Sequence, residues 1–281
     1  MLNRSLLQIH LATFLFGFVG PISGMVSAQP ATIAAGRAWS AMLVMLALLL
    51  IQRQSPWVSS RSDAAALAGL GVIQALQWLT FFAAVKTASV AVALVSVFTF
   101  PLFVTLLEPP LFGTQRTRSQ IIGSVVILLS VMLIVPEFSM ENSTTRGAVW
   151  GIVSALLVAA SLLAQRKYIQ QYSSTVLLTW KHSVSALVLL PFLGASGEML
   201  PAAIDLWPLV AIGTLFTAVP HLFMTRSLQL LRAQKVSTIV SLELVYGVVL
   251  AAILARQIPT WQTATGGLLI LAVSIRESLS R

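Results

Sequence analysis

One carboxylate in this sequence lies deep within a long apolar stretch, where its type is suited to proton chemistry. Glu243 is followed one helical turn later by Tyr246 and Gly247, and Ser237 and Ser241 come shortly before it. Because lipid makes a charged group costly, a carboxylate at this depth should face the interior of a helix bundle. We expect Glu243 to exchange a proton or to contact an amine, with Tyr246 in the same binding site. The alternative is a structural carboxylate that hydrogen-bonds a neighbouring helix.

An imidazole and an indole suggest a second part of a binding site. His221 follows Pro220, whose missing N–H leaves a backbone carbonyl without its helical donor. Trp78, in another apolar stretch, shares a helical face with Gln74, Gln77 and Phe81. Such faces can form an apolar pocket with a few oriented polar groups, and we predict that these residues bind a small molecule. Alternatively, His221 satisfies the loose carbonyl and Trp78 packs between helices.

Two cations occupy matching places in the two halves of the chain. Arg37 and Lys181 lie 144 residues apart, each about two turns from the end of an apolar stretch. A guanidinium can hold a carboxylate or phosphate through two parallel hydrogen bonds, and an ammonium can hold either as a point charge. Both are therefore candidate substrate ligands. The alternative is that both side chains snorkel to the lipid headgroups, as long cationic side chains near helix ends commonly do.

Other reactive groups are few. The chain has no cysteine and only three histidines, which are well separated, so the spacing predicts no metal site. We expect His10 and His182 to be hydrogen-bonded packing residues. No Gly-rich phosphate loop ending in Lys-Ser/Thr occurs in the sequence, which excludes an ATP-driven pump of that type. We expect no cofactor and no enzymatic activity.

Membrane helices must position these groups, because the 281-residue chain is 57% hydrophobic and only 9% charged, against about 25% charged in a soluble domain. Stretches long enough to cross about 30 Å of hydrocarbon occur ten times. They are residues 5–26, 31–51, 64–85, 87–107, 118–136, 146–165, 174–194, 204–225, 235–255 and 260–276. The predicted fold class is an all-α polytopic membrane protein with ten transmembrane helices.

The charge pattern predicts the orientation of these helices. If both termini are cytoplasmic, 12 of the 17 basic residues lie inside, whereas only Lys86, Arg146 and Arg256 lie outside. This is the positive-inside pattern, so the net charge of +9 reflects topology and anionic lipid rather than nucleic-acid binding. We predict a multi-pass protein of the plasma membrane, specifically a bacterial inner membrane.

The two halves resemble each other. With an offset of 143 residues, Val97 falls on Val240 and Gly123 on Gly266. A duplicated unit of five helices enters the membrane in opposite directions in the two halves, which predicts the inverted repeats of secondary transporters. The predicted repeats are residues 1–143 and 144–281. The first helix ends near Val26-Ser27-Ala28, which resembles a signal-peptide cleavage site, but the repeat requires that this segment is retained.

Short motifs recur in the later part of each half. In the first half they are Ala88-Ser89, Phe100-Pro101-Leu102-Phe103, Gly113-Thr114, Arg116-Thr117 and Gln120-Ile121-Ile122-Gly123. In the second half they are Ser227-Leu228, Ala233, Ser237, Leu242-Glu243-Leu244-Val245, Arg256-Gln257, Thr263 and Gly266. These motifs resemble the EamA repeat. The resemblance implies a ten-helix EamA-type member of the drug/metabolite transporter superfamily, and it covers essentially the whole chain.

Helix breakers interrupt several of the predicted helices. Gly17 and Pro21 lie in the first helix, Pro101 in the fourth and Pro220 in the eighth. Freed backbone groups at such depth are tolerated where they line a cavity or pack tightly against other helices. We predict that these four residues act as hinges, with close packing through small residues as the alternative.

The function that the sequence favours is secondary transport by alternating access through a central cavity. A mixed set of carboxylate, cations and aromatic rings is typical of a zwitterion site, so we predict export or exchange of an amino acid or a relative. The expected partners are this small molecule, the lipid bilayer and possible coupling protons, with the chain a monomer or weak homodimer. Drug-like, sugar or nucleotide substrates remain as alternatives. A non-transporting scaffold, receptor or scramblase is the other class.

Overall fold

The computed structural model describes residues 2–113, 118–134, 139–195, 202–231, 233–254 and 256–279. The predicted connections that contain Thr114, Glu137 and Glu198 lie partly outside the described residues, as does Arg281. The described residues are helical apart from short connections. The helices are α1 (Leu2–Phe16), α2 (Val19–Met25), α3 (Pro30–Ile51), α4 (Arg61–Thr87), α5 (Val90–Val97), α6 (Phe100–Phe112), α7 (Arg118–Ile134), α8 (Ser143–Tyr168), α9 (Ser174–Ala195), α10 (Ala203–Gly213), α11 (Val219–Ser227), α12 (Ala233–Val240), α13 (Leu242–Leu254) and α14 (Trp261–Leu279).

These elements form ten transmembrane helices within the described residues. Four of the ten are interrupted and consist of α1 with α2, α5 with α6, α10 with α11, and α12 with α13. Eight of the ten are long and apolar enough to span a membrane by length and composition. The prediction of an all-α protein with ten transmembrane helices is therefore confirmed.

The interruptions have local causes. Pro101 and Pro220 lie in the first turns of α6 and α11, where a helix does not need the missing N–H. A π-helical segment, Thr214–Ala218, precedes α11. The chain leaves helical geometry after Phe16, at Gly17, and Pro21 lies two residues into α2. The break at Ser241 was not predicted from the sequence. The Ser241 hydroxyl donates to the Ser237 carbonyl at 3.0 Å, a type of contact that often bends helices.

Two close helix crossings relate the halves of the molecule. A Cβ on Gly213 of α10 would lie 2.7 Å from the carbonyl oxygen of Arg37 on α3. A Cβ on Gly71 of α4 would lie 2.9 Å from the carbonyl oxygen of Lys181 on α9. Arg37 and Lys181, which occupy matching places in the two halves, therefore each lie at a helix crossing where only glycine fits. Such matching crossings are expected for inverted repeats.

The fifth and tenth transmembrane helices lie together. These helices, α7 and α14, pack against each other, and α8 packs along α4 and α5. Polar contacts join the connections on the predicted cytoplasmic side, where the Tyr172 hydroxyl donates to Asp63 at 2.6 Å. At the opposite end, the Ser27 hydroxyl donates to Asp205 at 2.6 Å and so joins the end of α2 to the start of α10.

Candidate functional site

A central cavity of about 110 Å³ lies between the two halves. Side chains from the first four transmembrane helices and from the sixth to the ninth helices line it, whereas α7 and α14 contribute none of the described lining residues. The polar lining residues are Arg37, Gln74, Gln77, Ser161, Gln165, Lys181, His221, Ser237 and Glu243. The aromatic lining residues are Phe16, Trp78, Phe81, Phe98 and Phe100. Both repeats therefore supply charge to one apolar-walled space.

Arg37 is buried inside the bundle on α3, with only 5% of its surface exposed. Its Nε donates to the Thr217 hydroxyl at 2.6 Å. Its guanidinium carbon lies 4.5 Å from the centroid of the Trp78 ring and 5.8 Å from that of Phe82. Arg37 thus does not snorkel to lipid headgroups, and a hydrogen bond and a cation–π contact hold its guanidinium inside the bundle.

Lys181 is more deeply buried than Arg37, with 1% of its surface exposed, and it also lines the cavity. Snorkelling therefore does not describe this side chain either. Within the described part of the chain, the only ion pair joins Arg166 to Glu108. Neither Arg37 nor Lys181 has a described carboxylate oxygen within 4.0 Å, although Lys181 lies close enough to Arg37 to interact with its charge.

Four rings from four transmembrane helices form a cluster beside the cavity. Trp78 stacks on His182 with 5.6 Å between ring centroids and 14° between planes. His221 meets His182 edge-on at 5.2 Å and Phe16 edge-on at 5.0 Å. The Nδ1 of His221 lies 3.0 Å from the Thr217 carbonyl oxygen, so this imidazole both contacts a backbone carbonyl and lines the cavity.

His182 differs from the packing histidine that the sequence predicted. It is fully buried, and neither of its ring nitrogens has a hydrogen-bond partner among the described residues. Burying an unpaired polar group costs about 1–3 kcal/mol. The stacking of its ring on Trp78 offsets part of this cost. His10, by contrast, is exposed on α1.

Two chains of neutral hydrogen bonds join helices around the cavity. Gln74 donates to Gln77 at 2.7 Å, and Gln77 donates to Ser154 of α8 at 3.0 Å. On the other side, the Thr225 hydroxyl of α11 donates to Gln165 of α8 at 3.1 Å. These bonds fix the rotamers of the amide side chains that face the cavity.

Glu243 lies in the first turn of α13, just after the interruption at Ser241. It is partly buried and lines the cavity. It interacts electrostatically with Arg37, yet the two groups do not come within 4.0 Å of each other. The carboxylate therefore faces the same space as the guanidinium without closing an ion pair across it.

Two of the predicted hinge residues lie beside the cavity, but Tyr246 does not line it. Pro101 and Pro220 are the chain neighbours of the cavity residues Phe100 and His221. Tyr246 is not among the described residues that line the cavity. Tyr246 instead packs edge-on against Phe14 of α1, with 5.6 Å between ring centroids.

Gly17 lies against Tyr246. A Cβ on Gly17 would lie 2.7 Å from the Cβ of Tyr246, which is closer than real Cβ atoms approach. The glycine thus permits the close approach of α1 and α13. Pro21 is buried in α2, beyond the Gly17 break.

Several residues in and near the site were not predicted from the sequence. Thr217, Gln165 and Thr225 are ordinary polar residues within apolar stretches, and only their hydrogen bonds single them out. The ion pair of Glu108, which is buried, and Arg166, which is partly buried, joins α6 to α8. The guanidinium carbon of Arg166 also lies 4.5 Å from the Phe112 ring centroid. The sequence feature that could have indicated this pair is Glu108, an acidic residue at the end of an apolar stretch and directly before Pro109 and Pro110.

Comparisons with known proteins identify relatives across the whole chain. The sequence matches the EamA-like transporter family over residues 3–135 and 145–275. It is 25% identical to the pseudopaline exporter CntI of Pseudomonas aeruginosa, covering 100% of this chain and 97% of the relative. It is 26% identical to human solute carrier family 35 member G1, covering 96% of this chain and 78% of that protein.

Two further comparisons agree with these. The sequence is 29% identical to the uncharacterized inner membrane transporter YicL of Salmonella typhimurium, covering 79% of this chain and 75% of the relative. A crystal structure of a protein with 18% identity superposes with a TM-score of 0.73, covering 99% of this chain and 97% of the other. This last likeness shows a shared fold.

Proposed function

The chain belongs to the EamA-like transporter family, and from this premise we propose that it exports an amino acid or a related zwitterion. It is a multi-pass membrane protein and a secondary transporter of the EamA type, not an enzyme. The proposed route is the central cavity, reached from each side of the membrane in turn.

The observation that carries this proposal is the placement of Glu243, Arg37 and Lys181 in one cavity. A carboxylate can hold the ammonium group of a zwitterion, and a guanidinium can hold its carboxylate with two parallel hydrogen bonds. The rings of Trp78 and Phe81 supply an apolar wall for a side chain. Charges of both signs within one apolar space favour a zwitterion over a simple cation or a neutral drug.

The position of the helix breaks supports the proposal of alternating access. The interruption between α5 and α6 and the interruption at Ser241 occupy matching places in the two halves, next to the cavity residues Phe98 and Glu243. Broken helices at equivalent places of inverted repeats are where secondary transporters bind substrate and rock one half against the other. We infer that Pro101 and Pro220 act as hinges in this motion.

Three features support export from the cytoplasm of a bacterium. One relative carries the name of an exporter and another that of an inner membrane transporter. The 12 basic residues on one side favour cytoplasmic termini. The cavity lies within a single chain, which supports a monomeric transporter.

Proton exchange is the proposed source of driving force. Glu243 is the acidic residue among the described cavity-lining side chains, and it faces Arg37 without an ion pair. A substrate ammonium and a proton can therefore compete for the same carboxylate. After the substrate is released outside, Glu243 would take up a proton from the outside. The carboxylate would then release this proton to the cytoplasm when the cavity opens inward.

A reconstitution experiment tests the proposal. Purified protein in proteoliposomes is loaded with a panel of unlabelled L-amino acids, and entry of the matching radiolabelled compound is followed by counterflow. We expect counterflow of at least one amino acid that is abolished in empty liposomes and lowered at least tenfold by Arg37→Gln. Counterflow of sugars or drug-like cations alone would replace the proposed substrate class, and transport of no solute would support a scaffold, receptor or scramblase.

A further inference from the structure

The two cations of the cavity lie at matching positions in the second and seventh transmembrane helices. Arg37 is seven residues past the start of α3 at Pro30, and Lys181 is seven residues past the start of α9 at Ser174. The second and seventh transmembrane helices run in opposite directions, so at about 1.5 Å per residue each cation lies about 10 Å from an opposite face. By this count, each of the two cations lies nearer to a different face of the membrane.

The charges of the described lining residues do not balance. Two cations and one carboxylate line the cavity. The described residues place no carboxylate within 4.0 Å of either cation. An uncompensated charge in a low-dielectric interior is costly, so a ligand that supplies the missing negative charge gains more than a neutral one.

We propose that the cavity selects an acidic zwitterion, with two carboxylates and one amino group, over a neutral amino acid of the same shape. This inference rests on the proposed function and narrows its substrate class. One carboxylate binds the Arg37 guanidinium, the second binds the Lys181 ammonium, and the amino group binds Glu243. A net charge of −1 on the ligand then matches the excess positive charge of the cavity.

Local packing positions the guanidinium of Arg37 and the backbone of Lys181. Arg37 is oriented by its bond to Thr217 at 2.6 Å and by the Trp78 ring, so its terminal nitrogens are presented as a fork. The backbone of Lys181 is fixed by its close contact with Gly71. Groups that are held rigid before a ligand arrives lose less entropy when they bind it.

Pairs of amino acids that differ by one charge provide the test. Binding of L-aspartate against L-asparagine, and of L-glutamate against L-glutamine, is measured by thermal stabilisation and isothermal titration of the purified protein. We expect the acidic member of at least one pair to bind at least tenfold more tightly. Succinate, which lacks the amine, should bind more weakly than L-aspartate, and Glu243→Gln should reduce that difference.

Variants separate the role of Lys181 from general charge. Lys181→Gln should lower the preference of acid over amide to below threefold, whereas Lys181→Arg should keep it. Lys235→Gln removes an exposed positive charge from α12 and should leave the preference unchanged. If Lys181→Gln fails to fold, Lys181→Arg and the wild-type pair comparison still decide the question.

The outcomes distinguish this inference from the proposed function. Equal or tighter binding of the neutral amides to the wild type would overturn the acidic zwitterion and leave amino-acid transport intact. An unchanged preference in Lys181→Gln would overturn the role of Lys181. Absence of binding and counterflow for every amino acid tested would overturn both proposals.

Discussion

The guanidinium carbon of Arg37 lies 4.5 Å from the centroid of the Trp78 ring, which joins the second and third transmembrane helices inside the cavity. The same indole stacks on His182 at 5.6 Å and lies 6.1 Å from the ring centroid of His221. Trp78 therefore positions a cation from the first repeat against two imidazoles from the second. Its substitution should disturb both halves of the candidate site at once.

We predict that Trp78→Phe and His221→Ala each lower transport at least fivefold in proteoliposomes. Phenylalanine keeps an apolar ring but is a weaker partner for a cation than tryptophan. It is preferable to alanine, because truncating a buried tryptophan costs about 3–5 kcal/mol. Trp207→Phe is the control, since Trp207 is 75% exposed on α10. Wild-type rates in both cavity variants at equal reconstitution would place the binding site elsewhere.

The crossing of α4 and α9 leads to a stability prediction. Gly71→Ala should lower the melting temperature in detergent, because the new Cβ would lie 2.5 Å from the Val184 Cβ and 2.9 Å from the Lys181 carbonyl oxygen. Gly69→Ala on the same helix is the matched control, since a Cβ there meets nothing within 4 Å. Alanine is favoured over glycine in a helix by about 1 kcal/mol, so Gly69→Ala should be neutral or stabilising. Equal melting temperatures for the two variants would refute the close crossing.

The pair of Glu108 and Arg166 should contribute to stability as a unit. Both side chains are largely buried between α6 and α8. Replacing Glu108 removes the acidic partner of a largely buried pair, and breaking a fully buried pair costs about 3–5 kcal/mol, which is an upper bound for this one. Glu108→Gln should therefore lower the melting temperature markedly, and the double variant with Arg166→Gln should recover part of the loss.

Glu141→Gln is the control for this pair, because Glu141 is exposed. The measurement is a melting curve of each purified variant in the same detergent. A double variant that is as unstable as the sum of its two single variants would show that the two charges do not interact.

The membrane orientation has its own test. A reporter fused after Arg281 or inserted near Lys167 should be cytoplasmic, and one inserted near Asn142 should be external. The reason is the accumulation of 12 of 17 basic residues on the predicted inner side. Accessibility to a membrane-impermeant reagent at single introduced cysteines gives an independent readout, since the chain has no cysteine of its own. An external C-terminus would contradict the predicted orientation.

The sequence predicted the helices well because hydrocarbon thickness sets a minimum apolar length, which eight of the ten helices meet by length and composition alone. It also selected Trp78, His221 and Glu243, which all line the cavity, because polar and aromatic groups at membrane depth turn inward. The sequence analysis also placed Tyr246 in the binding site, although Tyr246 does not line the cavity. A spacing of one helical turn from Glu243 does not determine how α13 is rotated against α1.

Tertiary packing decides the remaining features. Whether Arg37 snorkels or turns inward depends on Thr217 and Trp78, which lie 180 and 41 positions away in the chain. The unsatisfied imidazole of His182 depends on which neighbours surround it, and the break at Ser241 occurs without a glycine or proline. No local pattern of residue types contains this information.

The effect of a pH gradient on transport by Glu243→Gln tests the central claim most directly, namely that substrate and proton share one carboxylate in the cavity. Glutamine keeps the shape and much of the hydrogen bonding of glutamate but cannot titrate, so the variant separates proton coupling from packing. We predict that Glu243→Gln proteoliposomes still bind substrate and carry out counterflow, while a pH gradient no longer changes net flux. The wild type and Glu141→Gln should respond to the gradient. A Glu243→Gln variant with wild-type flux and wild-type pH response would contradict the claim and make Glu243 a structural residue of an uncoupled facilitator.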